Sequence, residues 1–302
     1  MKTFHSNGKL LITGEYAVLD GALSLALPTK KGQSLSIYPQ EKGFAWKSYD
    51  INNRLWYETD LLPQISPIHS NDPTAKITAT LANILATATE LNPNFTTQLG
   101  NYRIETHLEF ERDWGLGSSS TLINNIAQWA EVNPFELLFK SFGGSGYDIA
   151  CAKTNTPILY KLEEGIPKIY PLYFTFPYKN QIYFIHLNKK QNSKEGISLY
   201  KSITKSKKNF LQQITEITEN IIRTNSFSEF YQLIDTHENI IADFLKIKKV
   251  KDLYFPDFNG SIKSLGAWGG DFILAISDKE NIPQYFNEKG FSTIITYEDM
   301  VI

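Results

Sequence analysis

The chain has 302 residues, 42% hydrophobic and 21% charged, enough apolar surface for one large core or two modest ones. That composition excludes a disordered, collagen-like or small disulfide-stapled protein. Thirty Lys plus Arg against 32 Asp plus Glu leaves a formal charge of −2, so no nucleic-acid partner is expected. Cys151 is the single cysteine and cannot form an internal disulfide, and the five histidines lack Cys/His metal spacing. No apolar run approaches the roughly 18 to 20 residues that cross a bilayer, and the first residues do not read as a signal peptide. The expectation is a soluble, cytoplasmic protein with no membrane partner.

In chain order, Lys9 to Val18 and Leu23 to Leu27 read as two short strands joined through Asp20-Gly21, the second closed by Pro28. Ser34 to Tyr38 alternates polar and apolar residues, as a strand with one wet face does. Asp72-Pro73 supplies an N-cap and a first-turn proline for a helix over Thr74 to Leu91. Asn101 to Phe110 alternates again, with Ile104, Thr106, Leu108 and Phe110 on one face. Helices follow over Leu122 to Ala130 and Pro134 to Phe142, the latter stopped by Gly143-Gly144. Prolines between residues 157 and 177 punctuate short extended pieces before a strand at Gln181 to Leu187, which suggests a boundary near residues 165 to 180. Ser198 to Leu245 predicts two or three antiparallel helices broken near Asn225-Ser226. The end reads strand (Ser261 to Leu265), glycine turn, strand (Phe272 to Ser277), helix (Ile282 to Lys289), strand (Thr293 to Tyr297). Strands and helices grouped so unevenly imply an α+β fold in two lobes.

Three glycine-bearing segments carry chemistry, and a fourth lies near the end of the sequence. Gly115-Leu116-Gly117-Ser118-Ser119-Ser120-Thr121 precedes a helix whose first N–H groups lack intrahelical partners, an arrangement that suits an anion. It is neither a Walker A loop nor a dinucleotide fingerprint, and a tight turn with a serine cap is its plain structural reading. In Asn7-Gly8-Lys9 a lysine follows a glycine at a strand, where it could be a fixed charge or a surface lysine. Gly143-Gly144-Ser145-Gly146-Tyr147-Asp148-Ile149-Ala150 leads an aspartate into an apolar run, as a helix cap or as a carboxylate in a partly dry site. Ser264 to Asp271 reads by default as a hairpin turn.

Together these segments resemble the GHMP kinase superfamily, in order and across most of the chain. Gly8-Lys9-Leu10 through Gly14-Glu15-Tyr16-Ala17-Val18 resembles its first motif. Gly115 to Ser119 resembles the ATP phosphate loop, and Gly144 to Ala150 the segment of the catalytic aspartate, in a form closest to phosphomevalonate kinase. Ser264 to Asp271 resembles the third glycine motif, which folds against the phosphate loop in that family. Departures are Asn7 in place of a proline, Arg112-Asp113-Trp114 ahead of the loop, and Trp268 in place of a glycine.

The resemblance implies a two-lobed α+β fold, with a ribosomal-protein-like N-terminal domain over residues 1–170 and a ferredoxin-like C-terminal domain over 171–302. It implies an ATP- and Mg2+-dependent kinase of a small molecule, phosphomevalonate or mevalonate, acting as a monomer or homodimer. Asp148 and Lys9 take the catalytic roles, and Gly115, Leu116, Gly117, Ser118, Ser119, Ser120 and Thr121 the nucleotide. Glu15, Tyr16, Ser145, Gly146, Gly266 and Ala267 take the substrate, and Ser119 and Glu136 the metal, Glu136 standing about one residue out of register. Lys30, Lys31, Lys189, Lys190 and Lys194 are candidates for a phosphorylated acceptor, and Cys151 reads as a packed residue. A sugar or homoserine kinase, a diphosphomevalonate decarboxylase, and a silent ATP- or metabolite-binding relative stay open.

Overall fold

The structure is a computed structural model that describes residues 1–60, 72–173, 176–189, 193–266, 268 and 270–302. Its first half contains β1 (Lys2–Leu11), a 3-10 turn (Ala17–Asp20), β2 (Ser24–Pro39), β3 (Phe44–Tyr49), β4 (Leu55–Thr59), α1 (Pro73–Leu91) and β5 (Tyr102–Leu108). Then come α2 (Ser118–Ala130), α3 (Pro134–Ser141), α4 (Tyr147–Lys153), β6 (Ile158–Glu163), β7 (Ile166–Pro171) and β8 (Ile182–His186). The remainder is α5 (Ser193–Ser202), α6 (Lys208–Arg223), α7 (Phe227–Leu245), α8 (Val250–Tyr254), β9 (Ser261–Ser264), β10 (Phe272–Ile276), α9 (Ile282–Glu288), β11 (Ile294–Thr296) and α10 (Tyr297–Met300).

Two compact units divide the chain. The first comprises Met1–Gly8, Lys31–Arg112 and Leu116–Lys153; the second comprises Lys9–Lys30, Asp113–Gly115 and Thr154–Ile302. Residues 154–170, which the resemblance groups with the N-terminal domain, are compact with the second unit.

In unit one the strands lie in the order β4-β3-β5-β2, with β1 also on β2. The β5 ladder on β2 is antiparallel, Ile104 opposite Ile37, whereas β3 runs parallel to β5 with Trp46 opposite Ile104. Strict alternation along β5 buries Ile104, Thr106 and Leu108 and turns Arg103, Glu105 and His107 outward. The buried face meets Leu81, Ile84, Leu85 and Ala88 of α1, Ile123, Ile126 and Trp129 of α2, and Leu137 and Leu138 of α3. As expected, α1 starts at Asp72, whose carboxylate accepts from the N–H groups of Thr74 and Ala75. Asn133 caps α3 in the same way, and Gly143 follows with φ +80°.

In unit two β6 pairs antiparallel with Ser24–Ala26 of β2 and with β7. A second, antiparallel sheet has the order β11-β8-β10-β9. With the helices α5 to α8 between β8 and β9 and α9 between β10 and β11, this is the ferredoxin-like arrangement. Its core joins Ile185, Ile262, Ile273 and Ala275 to Phe255, Phe258 and Phe286. A separate cluster packs Tyr16, Ala17 and Ala22 on Tyr200, Phe210, Ile241 and Phe244, the last pair of rings stacked at 3.9 Å.

Three local expectations need correction. The first strand stops at Leu11, because Ile12 and Thr13 both donate to the single Leu25 carbonyl and Gly14 and Tyr16 then take positive φ. The apolar residues that follow are buried in the 3-10 turn, not in a strand. Nor does Pro28 close a strand: Ser24 to Pro39 is one strand, and Pro28 lies between the β6 and β5 ladders, neither of which calls on its missing N–H. The helix expected from Leu122 begins four residues earlier, at Ser118, so most of the Ser/Thr run forms its first turn. Among the described residues no helix is long and apolar enough to cross a membrane.

Candidate active site

In unit two, Lys9 sits near the end of β1, 9% exposed, and its ammonium donates to the Gly115 carbonyl at 3.0 Å. Gly115 has φ +65°, and a Cβ there would overlap the Asp271 carboxylate. That carboxylate also lies within van der Waals reach of where a Gly266 side chain would begin. Lys9, Gly115, Gly266 and Asp271, drawn from three of the four glycine segments, therefore come together. Trp268, in the turn between β9 and β10, donates its backbone N–H to the Tyr16 hydroxyl at 3.2 Å and its indole N–H to the Lys248 carbonyl at 2.9 Å. Ala267, Gly269 and Lys190 lie outside the described residues, as does the side chain of Lys194.

Glu15 is buried and its carboxylate pairs with Lys263, which is wholly buried at the centre of β9. Lys263 also donates to its neighbour's carbonyl, Ser264 O, at 2.9 Å. From α7, His237 Nε2 accepts the Gly14 N–H at 3.0 Å and stands 3.6 Å from the Glu15 carboxylate. The next residue, Glu238, accepts from the Ser264 N–H at 3.1 Å and the Ser264 hydroxyl at 2.9 Å. Burial pushes the Glu15 carboxyl up, against the pull of Lys263. It pushes Glu238 up to about 7, and holds His237 well below the usual imidazole range, helped by the Lys263 charge. One oxygen of each carboxylate and His237 Nδ1 have no hydrogen-bond partner.

In unit one, Gly117 is the N-cap of α2, with φ +93° and no side chain to satisfy the first-turn N–H groups. Leu116 is buried. The Ser120 hydroxyl donates to the Gly117 carbonyl at 2.8 Å and that of Thr121 to Gln33 Oε1 at 2.6 Å, so both are spent on the fold. Ser118 is half-buried and Ser119 exposed. Asp148, half-buried, lies in the first turn of α4, which packs on α2 and follows buried Ser145 and Gly146 at φ +90°. Glu136 is exposed in the first turn of α3. Among the described residues no cluster of three His, Cys, Asp or Glu side chains could hold a metal ion. Lys31 donates to the Glu109 carbonyl at 3.3 Å, while Lys30 and Lys189 are exposed. Cys151 is buried, as expected.

Sequence reading missed Lys263, His237, Glu238 and Asp271. The signal for two of them was present: His237 and Glu238 fall within the apolar stripe Phe230, Ile234, Ile241, Leu245 of α7, where a solvated residue has no place.

The chain has the fold that solved mevalonate kinase, phosphomevalonate kinase and galactokinase structures share, the expected two-domain GHMP kinase fold. The chain is similar to Streptococcus pneumoniae phosphomevalonate kinase in complex with phosphomevalonate and AMPPNP, at 17% identity and TM-score 0.69, over 96% of each chain. It is similar to Methanococcus jannaschii mevalonate kinase at 15% identity and TM-score 0.67, over 96% of this chain and 94% of that one. Lactococcus lactis galactokinase, solved with galactose, aligns over 100% of this chain and 93% of its own at 13% identity and TM-score 0.64. No protein-family model matches the sequence, and no curated protein matches it.

Proposed function

We propose that this protein is an ATP-dependent small-molecule kinase whose acceptor is phosphomevalonate or mevalonate. The observation that carries the reading is the start of α2, where Gly117 at φ +93° is the N-cap and offers no side chain to the first-turn N–H groups. N–H groups left so at the start of a helix fit phosphate oxygens. The kinase with AMPPNP among the similar structures supports the same nucleotide.

When bound, ATP supplies the phosphoryl group. Catalysis of its transfer is chiefly positioning and charge neutralisation. The N–H groups from Gly117 to Ser120 hold phosphate oxygens, and Lys9 fixes the backbone of Gly115 and offsets charge. The exposed Ser119 hydroxyl is the oxygen donor best placed on this loop for Mg2+, a cation that keeps several waters and needs few protein ligands. Glu136 is a second such candidate. Asp148 orients the acceptor and, for an alcohol, takes its proton. A phosphomonoester with a second pKa of about 6 is already mostly ionised at neutral pH and has less need of a base. Glu15, Tyr16, Ser145, Gly146, Gly266 and Ala267 remain the proposed acceptor residues, Glu15 acting through its ion pair.

The test is an ADP-release assay with mevalonate, phosphomevalonate, homoserine and common sugars. Turnover with one of the first two is expected. For an alcohol acceptor, Asp148→Asn should cost about 10² to 10⁴ in rate while nucleotide binding persists. Bound ATP with no turnover of any acceptor would refute the kinase reading.

A further inference from the structure

Residues Ile12 to Tyr16 form no strand or helix, yet three different elements grip them. From α6, Thr218 shares a 2.7 Å hydroxyl bond with Thr13, which also accepts the Leu25 N–H. From α7, His237 takes the Gly14 N–H; from β9, Lys263 takes the Glu15 carboxylate. The same buried groups hold the last residue of β9: Glu238 accepts two hydrogen bonds from Ser264, and Lys263 donates to the Ser264 carbonyl. The glycine turn begins at the next residue. A second tie joins the two segments where Trp268 N–H meets the Tyr16 hydroxyl.

An ion pair this deeply buried is a poor way to add stability, because desolvation offsets most of its attraction and an apolar pair of similar volume does as well or better. What it supplies is direction. The carboxylate fixes where Glu15 points, the imidazole acceptor fixes the Gly14 amide, and Lys263 commits β9 to both. His237 is suited to that task as a neutral ring: with Nε2 accepting from Gly14, its proton sits on Nδ1.

We infer that Lys263, His237 and Glu238 are positioning residues: a buried strut that sets the path of Thr13 to Tyr16 against the end of β9 and the glycine turn that follows it. Its catalytic consequence rests on the kinase reading; its structural consequence does not.

The test uses the full chain in four variants: Lys263→Met, the double variant Glu15→Gln/Lys263→Met, His237→Leu and His237→Gln. The first leaves a buried carboxylate alone and should unfold more readily; the double variant restores neutrality and with it the melting temperature. Amide hydrogen exchange in peptides spanning Ile12 to Tyr16 and Lys263 to Gly266 should nonetheless quicken about tenfold or more in the double variant, as in His237→Leu. Turnover should fall by about tenfold or more through kcat, with ATP affinity kept, since a displacement of ~1 Å can cost about 10²-fold. His237→Gln presents an amide oxygen to Gly14 and should recover both readouts. The strut is overturned if the double variant keeps wild-type exchange and turnover, or if the Leu and Gln variants behave alike. Should the double variant not fold, the His237 pair decides. Should the wild type turn over no acceptor, the kinase reading fails and hydrogen exchange alone decides on the strut.

Discussion

Glu238→Gln isolates the electrostatic load that one buried carboxyl places on the fold. Glu238 is buried on α7, and its carboxyl is raised from 4.5 to about 7, chiefly by loss of water and against the pull of Lys263 and Ser264. The unfolded chain gives up this proton near 4.5, whereas the folded protein keeps it to about 7. Stability therefore falls as pH rises through that window and levels off above it. The span from 4.5 to about 7 is 2.5 units, and at about 1.36 kcal/mol per unit the load amounts to about 3 kcal/mol. Glutamine keeps an oxygen for the Ser264 N–H and hydroxyl and does not ionise. Urea denaturation of both proteins between pH 4.5 and 8 should show the variant gaining about 3 kcal/mol on the wild type across the window. His237, held neutral by burial, works in the opposite sense, since its folded form resists protonation below 6.5. Glu15, raised like Glu238, works in the same sense. Both are present in the two proteins, so the difference between them reports on Glu238. A difference that does not change with pH would refute the reasoning.

Other substitutions probe the frame around this cluster. Gly14→Ala forces a side chain into a φ of +94° and onto the Ser24 hydroxyl, so it should destabilise by about 2 kcal/mol or more in the same assay. Adding Ser24→Gly should return part of that loss by removing the overlap. Asp72→Ala removes the acceptor for two N–H groups of α1 and should cost about 1 kcal/mol, read as a shift in the urea midpoint with an unchanged slope.

Much of the architecture was legible because local rules and tertiary packing agree. Asp72-Pro73 opens α1, alternation along β5 gives its buried face, and Gly143-Gly144 follow α3. Where reading by segments failed, the deciding partner lay elsewhere in the chain. Pro28 looks like a stop until β2 is seen to change partners around it. Phe44 to Tyr49 alternates plainly but is short, and its strand is defined by a parallel ladder to β5, more than fifty positions later. Of the candidate site, the glycine segments were visible as motifs because tight backbone geometry demands particular residues. Lys263 was not visible, since a lysine in a four-residue strand looks like a solvated edge. Its counter-ion, Glu15, is 248 positions away, and only folding supplies it.

The strand β2 has a further implication for how this polypeptide can be divided. Ser24 to Lys30 belong to one compact unit and Lys31 to Pro39 to the other, and the backbone passes between the units again after Gly8, Arg112, Gly115 and Lys153. No single scission yields either body whole, so neither can be cloned as one uninterrupted stretch. Fragment complementation, fusion or domain exchange in this protein must respect five joins instead of one.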